Sequence, residues 1–179
     1  KHLFDLWARR EGLLSKTVGL KYFNVFGPNE YHKADMRSFA LKGFEQIAAT
    51  GKVQLFKSDQ AGHPDGESVR DFIYVKDAAA MTLFFLDNPE ICGLFNVGTG
   101  RARSWNELAK ALFSSMGREP QIEYVDMPEA LRGQYQYFTE ARIDKLLRAG
   151  YDKALPPLEE TVKDYVQNYL EKGRYLGDV

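Results

Sequence analysis

Short β-prone runs alternate with longer stretches of helical periodicity along most of this chain, and that alternation constrains its fold more than any other feature. Thr17–Phe23 reads as a first strand ending at Asn24, followed by a loop marked by Gly27-Pro28. Apolar spacing at Met36, Phe39, Ala40, Phe44 and Ile47 predicts a helix that stops at Gly51, and Val53–Phe56 reads as the next strand. A polar loop runs to Ser68. Asp71–Val75 then reads as extended, and Asp77 is placed to cap a helix through Ala80, Leu83 and Leu86 to Pro89. Leu94–Val97 is a further strand, broken by Gly98-Thr99-Gly100, and Ser104 with Glu107 three residues on makes a capping-box pattern. Ile122–Val125 predicts a strand, Thr139–Ala149 a helix and Leu158–Lys172 a last helix. This order favours an α/β fold.

At 179 residues the chain can bury roughly 70% of its unfolded surface, enough for a domain core. Its 24 basic and 25 acidic side chains leave no strong field, so neither nucleic acid nor an anionic membrane surface is an expected partner. An anionic ligand must therefore be met by a local cluster. No apolar run approaches the roughly 20 residues that span a bilayer. The single cysteine, Cys92, cannot form an internal disulfide and fits a reducing cytoplasm. No metal site is expected, because His2, His32 and His63 have no further ligand at suitable spacing, and His32 reads as a loop packing residue. Lys1-His2-Leu3 opens inside an amphipathic pattern with Leu3, Phe4, Leu6 and Trp7 on one face, which reads as a start in mid-protein.

In open α/β sheets ligands bind at the carboxyl ends of strands, so the Asn24–Lys33 stretch is the first place to look for chemistry. Asn24 can hold hydroxyl groups through its amide or simply form a turn. Arg70 offers the planar fork suited to a diphosphate; its alternative is a surface ion pair with Asp71 or Asp77. Lys33 and Lys42 read by themselves as solvated charges, although a lysine with a lowered pKa can transfer protons.

Four stretches carry a resemblance to a known family: Lys21-Tyr22-Phe23-Asn24-Val25-Phe26-Gly27-Pro28, Arg70-Asp71-Phe72-Ile73-Tyr74-Val75-Lys76-Asp77, Phe95-Asn96-Val97-Gly98-Thr99-Gly100 and the opening Lys1. Their order resembles the extended short-chain dehydrogenase/reductase enzymes that modify nucleotide sugars. His32-Lys33 and the run Leu131-Arg132-Gly133-Gln134-Tyr135-Gln136-Tyr137-Phe138-Thr139 are most similar to the heptose 6-epimerases within that family. The first stretch alone is shared with UDP- or dTDP-sugar 4-epimerases and 4,6-dehydratases, which are the alternative; a non-catalytic binding or interaction fragment is the alternative of another class.

The resemblance implies the carboxy-terminal part of a Rossmann-type NAD(P)-binding fold plus a smaller α/β substrate-binding domain. Residues 1–35 would be the tail of the dinucleotide-binding domain. Residues 36–179 would be mainly substrate domain, with a segment near 70–100 returning to the Rossmann sheet. It implies NADP, with NAD as the alternative, an ADP-sugar substrate, a missing amino-terminal Rossmann half and a homo-oligomer when complete. The reaction it implies is oxidation of heptose C6″ to a ketone and reduction on the opposite face, in a bacterial cytoplasm of Gram-negative type, for lipopolysaccharide synthesis. The residue roles follow. Lys33 would be a catalytic acid/base. Lys1 would be the lysine left from the family's Tyr-x-x-x-Lys, serving catalysis and cofactor, and Val25 would face the cofactor. Asn24, Asp35, Lys42, Phe56, Lys57, Ser58, Asp59, Arg70 and Tyr135 would contact substrate. Ala34 and Asp35 stand where some heptose epimerases have Gly and Ser. The glycine-rich phosphate turn of the Rossmann unit does not occur, and Gly98-Thr99-Gly100 lacks its third glycine, so the chain alone is expected to be inactive.

Overall fold

A computed structural model describes residues 1–178. Seven strands and six α-helices follow the alternation of the sequence. Strand β1 (Val18–Tyr22) pairs in parallel with β5 (Gly93–Val97), Leu20 opposite Phe95. Strand β2 (Asn24–Phe26) pairs in parallel with β4 (Val69–Tyr74), Asn24 opposite Phe72, and β4 pairs antiparallel with β6 (Ala102–Ser104). Strand β3 (Val53–Phe56) joins β7 (Ile122–Val125) in a separate parallel pair. Asn24 therefore begins a strand where a loop was expected, because its backbone can follow β4 for three residues before Gly27. Gly27, at φ 138°, lies so close to Val75 and Tyr74 that a Cβ would meet side-chain atoms at 2.6 and 2.8 Å, so only glycine turns the chain here.

Helices cover these strands: α1 (His2–Arg10), α2 (Phe39–Thr50), α3 (Val75–Asp87), α4 (Trp105–Ser115), α5 (Asp144–Arg148) and α6 (Leu158–Tyr165), the last continued by a π-helical turn at Val166–Leu170. Ser38 caps α2 and Gly51 ends it in a left-handed conformation. The capping box of α4 forms as the sequence predicts, Ser104 Oγ accepting from the Glu107 amide at 3.1 Å and Glu107 accepting from the Ser104 amide at 2.7 Å. Two elements differ from the expectation. Tyr74 occupies the N-cap of α3 and Asp77 lies inside its first turn without capping it, because the extended backbone of β4 ends at Tyr74, three residues before Asp77. The helix expected over 139–149 is confined to Asp144–Arg148, since Phe138 pairs with Val69 in a parallel bridge that the Thr139 amide continues, and this pairing holds the chain extended before the helix.

Two cores result. Leu41, Ile47, Val53, Leu55, Leu112, Phe113 and Val162 pack α2, α4 and α6 against β3, while Ile73, Met81, Phe85, Phe95, Val97 and Leu146 pack α3 and α5 against β4 and β5. No helix among the described residues is long and apolar enough to cross a membrane.

Candidate functional site

The period-2 alternation of β3 buries Val53 and Leu55 and turns Gln54 and Phe56 outward. The face of α2 carrying Phe39, Lys42 and Gln46 lies alongside, and Gln46 Oε1 accepts the Gln54 amide at 2.9 Å, fixing helix to strand. Between them opens a cavity of about 400 Å³ whose further walls are Arg37, Lys57, Ser68, Trp105 and Tyr135. Its chemistry is cationic and aromatic. Arg37 is paired with Glu45 at 2.6 Å and Lys57 with Asp126 at 3.0 Å, whereas the Lys42 ammonium makes no ion pair among the described residues and donates to the Asp35 carbonyl at 2.6 Å.

Behind this wall sits Arg70, only 8% exposed. Its guanidinium lies 5.1 Å from the Tyr135 ring centroid and 5.8 Å from that of Trp105, and donates to its neighbour's carbonyl, Val69 O, at 2.8 Å. No carboxylate pairs with it among the described residues, so the surface ion pair weighed for Arg70 does not occur. Burial holds its pKa below the usual value, partly offset by Tyr135. A buried cation without a counter-ion is costly, and supplying an anion at the same place is the direct remedy. Trp105 Nε1, also buried, has no hydrogen-bond partner. Asp71, fully buried beside Arg70, is occupied elsewhere: its carboxylate accepts from Thr99 N (2.7 Å), Thr99 Oγ1 (2.8 Å), Gly100 N (2.8 Å) and Ala141 N (3.0 Å).

The loop beyond β3 folds over the same region. The Tyr137 hydroxyl donates to the Asp59 carboxylate and accepts from the Asp59 amide at 3.2 Å, while the Ser58 amide donates to Asp65 at 2.7 Å. His63 packs edge-on against Tyr137 at 4.9 Å, and Tyr137 against Tyr135 at 5.4 Å. Lys42, Phe56, Lys57 and Tyr135 thus line one cavity, with Arg70 behind it and Ser58 and Asp59 at the end of β3. The other expected residues do not line it. Asn24 and Val25 lie half-buried on β2, Lys1 is exposed ahead of α1, and Lys33 and Asp35 are exposed on the turn after β2, as is His32, which was expected to pack into the loop. The sequence does not single out Gln46, Gln54 or Trp105; Trp105 directly follows a helix cap and Gln54 occupies the outward phase of a strand, the signals that point to two of them.

A nicotinamide dinucleotide needs backbone donors for its pyrophosphate. Gly98-Thr99-Gly100 cannot serve, because the Thr99 and Gly100 amides already donate to the buried Asp71 carboxylate, which would repel a second anion. Asn24 and Val25, the first residues of β2, have no phosphate cradle beside them among the described residues. No group of three or more His, Cys, Asp or Glu suited to a metal occurs among the described residues.

Parallel strands joined through helices, β1 with β5 and β2 with β4, define part of a Rossmann-type fold, and the cavity lies beside the separate β3–β7 pair. The profile of the NAD dependent epimerase/dehydratase family matches residues 2–98, and the chain belongs to that family. A curated relative from Nitratidesulfovibrio vulgaris (strain DP4), named ADP-L-glycero-D-manno-heptose-6-epimerase, is 55% identical over 170 residues, covering 95% of this chain and 53% of the relative. One of the same name from Fusobacterium nucleatum is 45% identical over 179 residues, covering 96% and 54%. The solved ADP-L-glycero-D-manno-heptose-6-epimerase of Helicobacter pylori superposes with a TM-score of 0.75 at 29% identity, covering 92% of this chain and 48% of that one. UDP-glucose 4-epimerase of Thermotoga maritima, solved with UDP-glucose, gives 0.71 at 27% identity, covering 96% and 50%. The chain spans about half the length of the curated relatives it matches.

Proposed function

We propose that this chain is the substrate-binding part of an ADP-L-glycero-D-manno-heptose-6-epimerase that inverts C6″ of an ADP-heptose. The observation that carries the reading is the buried, unpaired Arg70 behind a cavity walled by Lys42, Lys57, Trp105 and Tyr135: it is built for an anion joined to a flat ring, as a nucleoside diphosphate is. The names of the relatives supply the base and the sugar.

In this reading Arg70 and Lys42 neutralise the diphosphate, and Phe56, Lys57, Ser58, Asp59 and Tyr135 line the nucleotide side. Asn24 and Asp35 hold sugar hydroxyls. When bound, a nicotinamide cofactor, NADP, supplies the reversible hydride acceptor; Val25 and Lys1 face it. Lys33 moves the proton of the C6″ oxygen on one face, and a group outside this chain does so on the other. Residues 1–35, with the segment near 70–100, belong to the dinucleotide domain and most of 36–179 to the substrate domain. The phosphate turn comes from an amino-terminal half, the complete protein is a homo-oligomer, and it works in a bacterial cytoplasm for lipopolysaccharide inner-core synthesis.

The test is interconversion of the D-glycero and L-glycero forms of ADP-heptose by the full-length protein and its Lys33→Met variant. Lys33 is exposed, so the variant should fold; its rate should fall by about 100-fold, the usual scale of acid–base help. A full-length protein that ignores ADP-heptose but interconverts UDP-sugars would overturn the reading.

A further inference from the structure

The turn that carries Lys33 is closed at its base by one buried carboxylate. Glu30 is 3% exposed; its Oε2 accepts the Ser38 amide at 2.6 Å, and its Oε1 accepts the Ser38 hydroxyl at 2.6 Å and the Tyr165 hydroxyl at 2.9 Å. Ser38 is also the N-cap of α2, so the two ends of the 31–37 segment meet at this carboxylate. Tyr165 is itself fully buried at the end of α6. No cation pairs with Glu30 among the described residues; its charge is held by neutral donors alone.

The same turn is tied to the carboxy-terminal segment at four further points. The Tyr31 hydroxyl lies 3.5 and 3.4 Å from the Tyr169 and Arg174 carbonyls, either of which can take its proton, and its ring packs edge-on against Tyr175 at 5.1 Å, while the Leu176 amide donates to Asn29 Oδ1 at 2.8 Å. Between these anchors the backbone is forced. Asn29 and Ala34 both have positive φ, and Ala34 stands at φ 45°, ψ −123°, directly after Lys33. A β-carbon residue in such a conformation persists only where its surroundings over-determine it. The exposed face of the turn offers no such hold on Lys33, whose amide bonds back to the Glu30 carbonyl at 3.1 Å.

We infer that Glu30 and Tyr165 are positioning residues that fix the 31–37 turn so that Lys33 meets the substrate's C6″ oxygen. This rests on the reading of Lys33 as a proton-transfer group. A carboxylate serves here better than an apolar plug because it can take the Ser38 amide, the Ser38 hydroxyl and the Tyr165 hydroxyl at once, locking the turn to α2 and α6 together. A mere N-cap for α2 would not require the tyrosine of a helix 135 positions away.

The experiment compares Glu30→Ala, Glu30→Gln, Tyr165→Phe and Lys33→Met in the full-length protein. In Glu30→Ala and Tyr165→Phe, kcat for inversion should fall by about 10-fold or more with KM for ADP-heptose little changed, since a misplaced proton-transfer group costs turnover rather than binding. Glu30→Gln, which keeps the shape and one carbonyl acceptor, should recover much of that loss. Amide hydrogen exchange across 31–37 should speed by about 10-fold in the same two variants, reporting the loosened turn independently of activity. If Glu30→Ala does not fold, Tyr165→Phe carries the comparison, because its ring still fills the core. Parental kcat in Tyr165→Phe, and in Glu30→Ala where it folds, or a rise in KM alone, overturns the positioning role while an inactive Lys33→Met leaves the Lys33 reading standing. Parental turnover in Lys33→Met overturns both.

Discussion

The guanidinium of Arg70 lies 5.1 Å from the ring centroid of Tyr135 with no carboxylate of the described residues against it, a buried charge beside aromatic rings. Arg70→Met should therefore leave stability unchanged or raise it by about 1 kcal/mol, since it removes an uncompensated charge while preserving the stem. Affinity for ADP or an ADP-sugar should weaken by about 2–5 kcal/mol, measured by calorimetry alongside the thermal midpoint. A variant that binds ADP as tightly as the parent removes Arg70 from the site.

Asp71 predicts the opposite balance. Its carboxylate is the shared acceptor for Thr99, Gly100 and Ala141, so Asp71→Asn would set an amide N–H against backbone N–H groups in a dry site. The expected loss is about 2–4 kcal/mol in chemical denaturation. A midpoint within error of the parent would mean that the 98–100 turn holds its shape without the carboxylate.

These two neighbours show what the sequence could and could not say. Local chemistry was legible: the Ser104–Glu107 capping box, the Gly51 stop and the Ile122–Val125 strand all form where short-range signals place them, because each is decided within four residues. Long-range competition was not. The 139–149 run has helical spacing, yet pairing with Val69, some 70 positions earlier, holds Phe138 and Thr139 extended and leaves about one and a half turns at Asp144–Arg148. The same holds for the site. Lys42, the Phe56–Lys57 pair and Tyr135 are far apart in the chain and meet only because β3 pairs with β7 and α2 lies across them. Arg70 was legible as the fork suited to a diphosphate, but its burial without a carboxylate among the described residues, unlike Arg103, which is satisfied by Glu107 and Glu159, could not be read from the sequence.

A third prediction concerns pH. Burial pushes Asp164 up, but donors from Lys76, Tyr74 and Asn168 outweigh it and hold the carboxyl below the ordinary range. Burial likewise pulls Lys76 down, and its bonds to Asp164 and Tyr169 outweigh that, leaving it raised. A lowered carboxyl contributes stability that is present above its unfolded pKa and lost as pH falls through the folded value; a raised lysine contributes stability below its unfolded pKa and loses it as pH rises through the folded one. The pair therefore stabilises from just above the carboxylate range up to the lysine range. Asp164→Asn should lower the thermal midpoint near neutral pH, and the deficit should shrink as the parent is acidified toward about pH 3. A deficit that stays constant across that range would assign the effect to hydrogen bonding alone.

The last prediction follows from the aromatic ladder beside the cavity. Arg70 faces Tyr135, Tyr135 meets Tyr137 edge-on, and Tyr137 meets His63, whose Nε2 lies 3.4 Å from the hydroxyl of Ser68 on the cavity wall. The Tyr137 hydroxyl is the link that ties this ladder to the loop after β3, through both the carboxylate and the amide of Asp59. Tyr137→Phe keeps the ring and its edge-on contacts while releasing Asp59. A neutral-to-charged hydrogen bond of this kind contributes about 1–3 kcal/mol where it is shielded, and less here because both groups are partly solvated. Stability should therefore change little. The loop from Ser58 to His63 should loosen, and nucleotide affinity should weaken by about 3- to 10-fold through the cost of ordering it again on binding. Titrating ADP into the variant and following hydrogen exchange at residues 58–63 with and without ADP checks both halves. Unchanged affinity together with faster exchange would mean that the loop is a bystander, and that the cavity wall ends at Lys57 and Tyr135.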